Sequence, residues 1–249
     1  MLKAEINNIS VFRNGKELEL LKDINFQLED GMINVVLGKN GTGKSTLIRA
    51  ITGLLDERFY NISGRVMYEN KDLLTLPAEE LLEIRRNKIR YVFQDAINSF
   101  DPLKKLVYYF RDYQTNSLLN SLLNEFLLPG RNELFNLYPY EVSGGMAQRL
   151  LLVHALIAQP RIVILDEPTS GIDTPISNLI LLKLKEFIGG GLNSVLLVTQ
   201  DLQFARSSAD RIAYLANGKL SPFRTKSEFF EDSNIPDIEN FLSAYNQLV

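Results

Sequence analysis

Four short apolar runs punctuate the chain: Ile33-Asn34-Val35-Val36-Leu37, Ile89-Arg90-Tyr91-Val92-Phe93, Ile162-Val163-Ile164-Leu165 and Val195-Leu196-Leu197-Val198-Thr199. Each has strand length and is mostly β-branched or aromatic. Such near-continuous runs, set between helical stretches, predict parallel strands covered on both faces. Each is followed at once by a polar or glycine element: Gly38, Gln94, Asp166-Glu167 and Gln200. Ligands of open α/β sheets bind beyond the carboxyl ends of the strands, so these endpoints predict one site assembled from distant sequence.

The stretch up to Leu28 alternates apolar and polar residues and turns at Asn14-Gly15, which predicts antiparallel strands. A second β segment is expected near Ile62-Ser63-Gly64-Arg65-Val66-Met67-Tyr68. From Asp95 to Val142 strand alternation is missing. Leu118, Leu119, Leu122, Leu123 and Phe126 recur at helical spacing, which predicts a small helical insertion. Met146 to Ala158 is apolar nearly all round, as a buried helix would be. Asn217-Gly218 predicts a late hairpin, and Ile238, Phe241, Leu242, Tyr245 and Leu248 predict an amphipathic helix in the tail. No internal repeat or low-complexity linker interrupts this order.

The 249 residues give room for one large domain or two small ones. A formal net charge of −3 argues against a nucleic-acid partner, which calls for a basic excess. No cysteine is present, which excludes disulfides, thiolate metal sites and cysteine nucleophiles and fits a reducing compartment. Met1 to Ile6 form no long apolar run, so no secretory signal is expected. No window approaches the roughly 18 apolar residues of a spanning helix. Work at a membrane would require another chain to cross it.

Gly38-Lys39-Asn40-Gly41-Thr42-Gly43-Lys44-Ser45-Thr46 fits G-x-x-x-x-G-K-[S/T] between an expected strand and an expected helix, the setting this motif requires. The glycines let backbone N–H groups converge on phosphate oxygens, and the helix N-terminus faces the same anion. Lys44 can reach the β- and γ-phosphates, Ser45 can ligate Mg²⁺, and Thr46 can touch the α-phosphate. Asp166 and Glu167 end a buried strand, where isolated charges are costly and normally meet a cation or a hydrogen-bonding site. Acids after strands also serve as helix caps. Beside a phosphate loop, Asp166 is the expected Mg²⁺ partner and Glu167 the base for an attacking water.

Val142-Ser143-Gly144-Gly145-Met146-Ala147-Gln148-Arg149 precedes the carboxylate strand and offers a second anion-facing helix start. It resembles the signature motif of the ATP-binding-cassette (ABC) ATPases. The resemblance spans nearly the whole chain and implies a P-loop NTPase (RecA-like) α/β core with an antiparallel β subdomain and a helical subdomain. One nucleotide-binding domain would fill residues 1–249, with the helical subdomain at about 95–142 and a tail at about 221–249. In that family the signature (Ser143, Gly144, Gly145) closes over ATP held by the opposite subunit of a head-to-tail dimer. Gln94 resembles the glutamine that contacts Mg²⁺ or water and senses a permease, and Asp173 resembles an interface aspartate. Phe12 lies where an aromatic stacks on adenine, although a core phenylalanine fits there as well.

Finer similarity points to importers of oligopeptides, dipeptides or nickel. Ile62 to Val66, Phe93 to Pro102 and Tyr138 to Met146 resemble segments of those ATPases. The resemblance implies ATP and Mg²⁺ as cofactors, hydrolysis powering import of peptides, nickel or a metal chelate, and transmembrane permease partners. It also implies a peripheral place on the cytoplasmic face of the cell membrane. The chain departs from the resemblance in a shorter stretch between Gln94 and Ser143, and in the replacement of the family's switch histidine by Gln200. Glutamine can donate a hydrogen bond to the γ-phosphate but carries no proton to give or positive charge near neutral pH. The expectation is a slow site in this chain, paired with a non-identical second ATPase subunit. An ATP-dependent dimerisation switch without transport is the alternative. His154, the single histidine, falls inside the expected buried helix, where a structural role is expected.

Overall fold

A computed structural model describes residues 1–231. The chain opens with a long hairpin, β1 (Leu2–Arg13) and β2 (Lys16–Gln27). Its turn is made by Asn14 and Gly15 at φ 53° and 73°, the left-handed geometry that suits the strand twist and that Asn-Gly adopts readily. β3 (Ile33–Leu37) runs through a loop into α1 (Lys44–Ile51), and β4 (Tyr60–Tyr68) with the short β5 (Lys71–Asp72) returns to the hairpin. These strands form an antiparallel sheet in the order β2-β1-β4-β5. Next come α2 (Ala78–Asn87), β6 (Ile89–Val92), α3 (Leu118–Glu125), α4 (Arg131–Leu134) and α5 (Gly144–Leu156). β7 (Ile162–Asp166), α6 (Thr174–Ile188), β8 (Ser194–Thr199) and α7 (Leu202–Ser208) follow. β9 (Arg211–Ala216), β10 (Lys219–Leu220), β11 (Arg224–Thr225) and α8 (Lys226–Glu231) end the described chain. The tail positions Ile238 to Leu248 lie outside the described residues.

The four apolar runs become β3, β6, β7 and β8. They lie side by side in a parallel array ordered β9-β3-β8-β7-β6, with β10 and β11 pairing antiparallel to β9. The sequence pattern assigned the region of β9 only to a hairpin at Asn217-Gly218. The structure adds it as a fifth parallel strand, and its Ile212-Ala213-Tyr214-Leu215 run is buried like the others. Side chains alternate across the sheet with the strand period of two. Val36, Ile164, Leu196 and Val198 pack with α1 and the antiparallel sheet. Val35, Leu37, Val163, Leu165, Val195 and Leu197 pack on the other face with α5, α6 and the insertion. Two cores therefore clamp one sheet, and the carboxyl ends of β3, β6, β7 and β8 fall along one edge.

Between β6 and α5 the chain is less helical than its leucine spacing suggests. It holds α3, α4 and three single 3₁₀ turns at Leu106–Tyr108, Arg111–Tyr113 and Pro139–Glu141. Pro102, Pro129-Gly130 and Pro139 interrupt any longer helix, because proline removes a donor and clashes with the preceding turn. Leu119, Leu122, Leu123 and Phe126 are buried as their spacing implied. Arg149 of α5 grips this insertion, donating to the carbonyls of Phe126 and Leu127 at 2.9 Å each.

Candidate active site

The phosphate loop begins where β3 ends. The Gly38 N–H donates to the Thr199 carbonyl (3.1 Å), so the loop is pinned to the end of the neighbouring strand β8. Gly43 enters α1 at φ 99°, a conformation open to glycine, and a Cβ there would meet Leu21 at 2.8 Å. No side chain caps α1, so its first N–H groups face the loop interior without a protein acceptor of that kind. Lys39, Asn40 and Gly41 are exposed, Thr42, Ser45 and Thr46 half-buried. The Thr42 hydroxyl donates to the Lys39 carbonyl at 2.9 Å and stiffens the bend.

Lys44 is 6% exposed, and its ammonium donates to the carbonyls of Gly38 (2.9 Å) and Lys39 (3.0 Å). Its Nζ also lies 3.1 Å from Glu167 Oε1, close enough for an ion pair although not aligned as a hydrogen bond. Glu167 takes φ 46°, the left-handed region, which a non-glycine residue occupies at a cost of order 1 kcal/mol or more. That turn swings its carboxylate to Lys44 and to the end of β8. There Oε2 accepts from the Thr199 hydroxyl (3.0 Å) and the Gln200 N–H (3.2 Å).

Asp166 is 2% exposed. Its Oδ2 accepts from the Tyr91 hydroxyl at 3.0 Å, while Oδ1 is buried with no hydrogen-bond partner. Burial, then the adjacent Asp166 charge, pushes the Tyr91 phenol up, so it stays a donor. Asp166 shares a cavity of about 380 Å³ with Ser45, Arg49, Tyr91 and Gln94. A hydroxyl, an amide and an orphaned carboxylate oxygen are oxygen donors suited to a hard cation such as Mg²⁺, and a buried carboxylate oxygen without a partner calls for one. The donor set fits Mg²⁺, and the glycine-lined loop beside it fits phosphate.

The remaining sequence-derived positions are spread around this centre. Phe12 is 52% exposed near the end of β1, so it is no core residue. Ser143 caps α5, its Oγ accepting from the Met146 N–H at 3.2 Å, and nothing would obstruct a Cβ at Gly144 or Gly145. Gly144 joins Gln94, Gln148 and Gly171 around a second cavity of about 480 Å³. Asp173 caps α6 through the Ile176 N–H at 3.0 Å. Gln200 is exposed beyond β8. His154 sits edge-on to Phe110 (5.3 Å between ring centres) and carries no contact with this centre. Burial, then the Arg90 charge, holds its pKa down at about 4, so it is neutral. Sequence reasoning missed Thr199 and Tyr91, each a hydroxyl on a carboxylate. The available signal was a hydroxyl-bearing residue in an otherwise apolar strand, which must find a partner when buried.

The ABC transporter family pattern matches residues 21–170. The chain is 30% identical over 244 residues to the "Oligopeptide transport ATP-binding protein AmiE" of Streptococcus pneumoniae serotype 4, covering 94% of this chain and 69% of that protein. It is 32% identical over 231 residues to the "Dipeptide transport ATP-binding protein DppD" of Caldanaerobacter subterraneus subsp. tengcongensis, covering 89% and 71%. Among solved structures, the "Dimeric Structure of MJ0796, a Bacterial ABC Transporter Cassette" superposes with a TM-score of 0.78 at 27% identity, covering 91% of this chain and 99% of that one. Phosphate loop, buried carboxylates and sheet order thus coincide with a family match over more than half the chain: the protein belongs to the ABC transporter ATPase family.

Proposed function

We propose that this chain is the ATP-hydrolysing subunit of a peptide importer, attached to permease subunits at the cytoplasmic face of the membrane and paired with a non-identical second ATPase. The observation that carries the reading is the convergence of Lys44, Glu167 and the orphaned Asp166 oxygen at one sheet edge. The named relatives are peptide and dipeptide transport proteins, which supports peptides over nickel or a metal chelate as cargo.

In this reading the phosphate loop (Gly38 to Thr46) holds the ATP phosphates with backbone N–H groups and the Lys44 ammonium, and Phe12 stacks on adenine. Ser45, Gln94 and Asp166 would hold Mg²⁺, which would supply positive charge to offset that of the phosphates. Glu167 takes a proton from the attacking water. Ser143, Gly144, Gly145 and Asp173 serve the dimer face and close the partner's nucleotide site. Ser143, Gly144 and Asp173 are exposed and Gly145 half-buried, which leaves this face open to a second subunit, and the solved cassette of like fold is described as dimeric. Gln200 supplies a hydrogen bond where a histidine could supply charge, so this chain's own site is the slower of the two.

A groove of about 250 Å³ between β6 and the insertion, lined by Leu54, Phe93, Phe100, Tyr109 and Leu151, offers the permease an apolar seat. No helix among the described residues is long and apolar enough to cross a membrane, so the spanning part is assigned to partners. Purification of the tagged chain from native membranes tests the assignment. Multispanning permease proteins and a second ATPase are expected to co-purify. Soluble partners alone would contradict it in favour of a dimerisation switch.

A further inference from the structure

Thr199 closes β8 between β3 and β7 and is fully buried. Three bonds converge on it. Its carbonyl accepts from the Gly38 N–H (3.1 Å), the first residue of the phosphate loop. Its hydroxyl oxygen accepts from the Asp201 N–H at 2.9 Å and lies 3.0 Å from Glu167 Oε2. A hydroxyl has one proton. Because the Asp201 N–H can only donate, the hydroxyl proton is directed to Glu167. Oε2 then receives two donors, Thr199 O–H and Gln200 N–H, while Oε1 has no hydrogen-bond donor and faces Lys44 at 3.1 Å. The two carboxylate oxygens are therefore inequivalent.

We infer that Thr199 is a positioning residue for ATP hydrolysis, fixing Glu167 by its buried hydroxyl so that Oε1 is the oxygen that takes the proton from water. The inference rests on the proposed role of Glu167 as base. In that step the water oxygen forms a bond to the γ-phosphorus and its proton moves to Oε1. The bond between the γ-phosphorus and the bridging oxygen breaks, its electron pair leaving with ADP. Neither donor to Oε2 belongs to the side chain of Gln200. The glutamine at this position therefore weakens support of the γ-phosphate while leaving the base in place. That accounts for a site that is slow rather than dead. Thr199 ties the base to the phosphate loop through main chain and side chain at once, so both are held to the end of one strand.

The test uses the complex purified from native membranes with wild-type chain, Thr199→Val, Thr199→Ser or Glu167→Gln. Turnover dependent on Glu167, the difference between the wild-type and Glu167→Gln complexes, is followed as a function of ATP. Valine keeps the shape and removes the hydroxyl; the lost bond to a charged group is expected to lower that kcat roughly 10- to 100-fold. KM for ATP and binding of a fluorescent ATP analogue are expected to stay within about twofold, since phosphate contacts are untouched. Serine restores the hydroxyl and most of the rate, including where valine fails to assemble. A Glu167-dependent kcat unchanged in Thr199→Val, or a Thr199→Ser complex as slow as the valine form, overturns the role of Thr199 alone. No Glu167-dependent turnover in the wild-type complex overturns the role of Glu167 as base.

Discussion

His154 gives the fold a pH dependence whose size follows from its surroundings. The ring lies on α5 against Phe110 and Tyr113, and the neighbouring Arg90 guanidinium donates to the His154 carbonyl at 3.2 Å. Apolar burial, then a nearby like charge, lowers the pKa from 6.5 to about 4. The folded state thus binds a proton less readily than the unfolded chain. This contribution is constant above the unfolded pKa and is lost as pH falls toward the folded one. Linkage between these two values gives a loss of about 2 kcal/mol on going from about pH 7 to about pH 5, and about 3 kcal/mol by about pH 4. Urea unfolding of wild type and His154→Gln at the two higher pH values isolates it, because the carboxylates are common to both. The variant is expected to start less stable by about 1 kcal/mol from altered packing and to lack the extra acid loss. Equal pH slopes for the two proteins would refute a buried neutral histidine.

Tyr91→Phe removes the one hydroxyl on Asp166 and leaves Oδ2 as well as Oδ1 without a donor. Mn²⁺ affinity in the presence of a non-hydrolysable ATP analogue, read by electron paramagnetic resonance, is expected to change roughly three- to tenfold. An unchanged affinity would place Asp166 outside the cation site. Gln200→His is expected to raise turnover of the purified chain on Mg-ATP several-fold by placing a chargeable group at the position proposed to support the γ-phosphate. Rapid turnover by the wild-type homodimer, indifferent to Gln200→Ala, would sink the proposed asymmetry between two ATP sites.

The parallel core could be read from the sequence because its strands are buried on both faces, and burial on both faces leaves a near-continuous apolar signature in β3, β7 and β8. The phosphate loop was equally plain, since its chemistry needs glycines and a lysine at fixed spacing. Four features escaped. The insertion looked more helical than it is, because leucine spacing reports a buried face while proline and glycine decide where a helix stops. β9 escaped because Ile212-Ala213-Tyr214-Leu215 is a short run whose place beside β3 depends on tertiary pairing. The hydroxyls of Tyr91 and Thr199 sit on separate strands from the carboxylates they hold. Their partners, 75 and 32 residues away, are set by strand order alone. The left-handed turn at Glu167 likewise has no local signal, because nothing in Asp166-Glu167-Pro168 announces which acid swings to Lys44.

Glu167→Gln tests whether Glu167 is the base for ATP hydrolysis. Glutamine keeps the size of the side chain and removes the carboxylate that lies beside Lys44 and below the phosphate loop. In the complex purified from native membranes, phosphate release from Mg-ATP is measured alongside binding of a fluorescent ATP analogue. Nucleotide binding is expected to be retained or tightened, and the turnover that belongs to this chain's site to fall by roughly 100-fold or more. Undiminished phosphate release, with the partner's ATP site separately disabled, would contradict it.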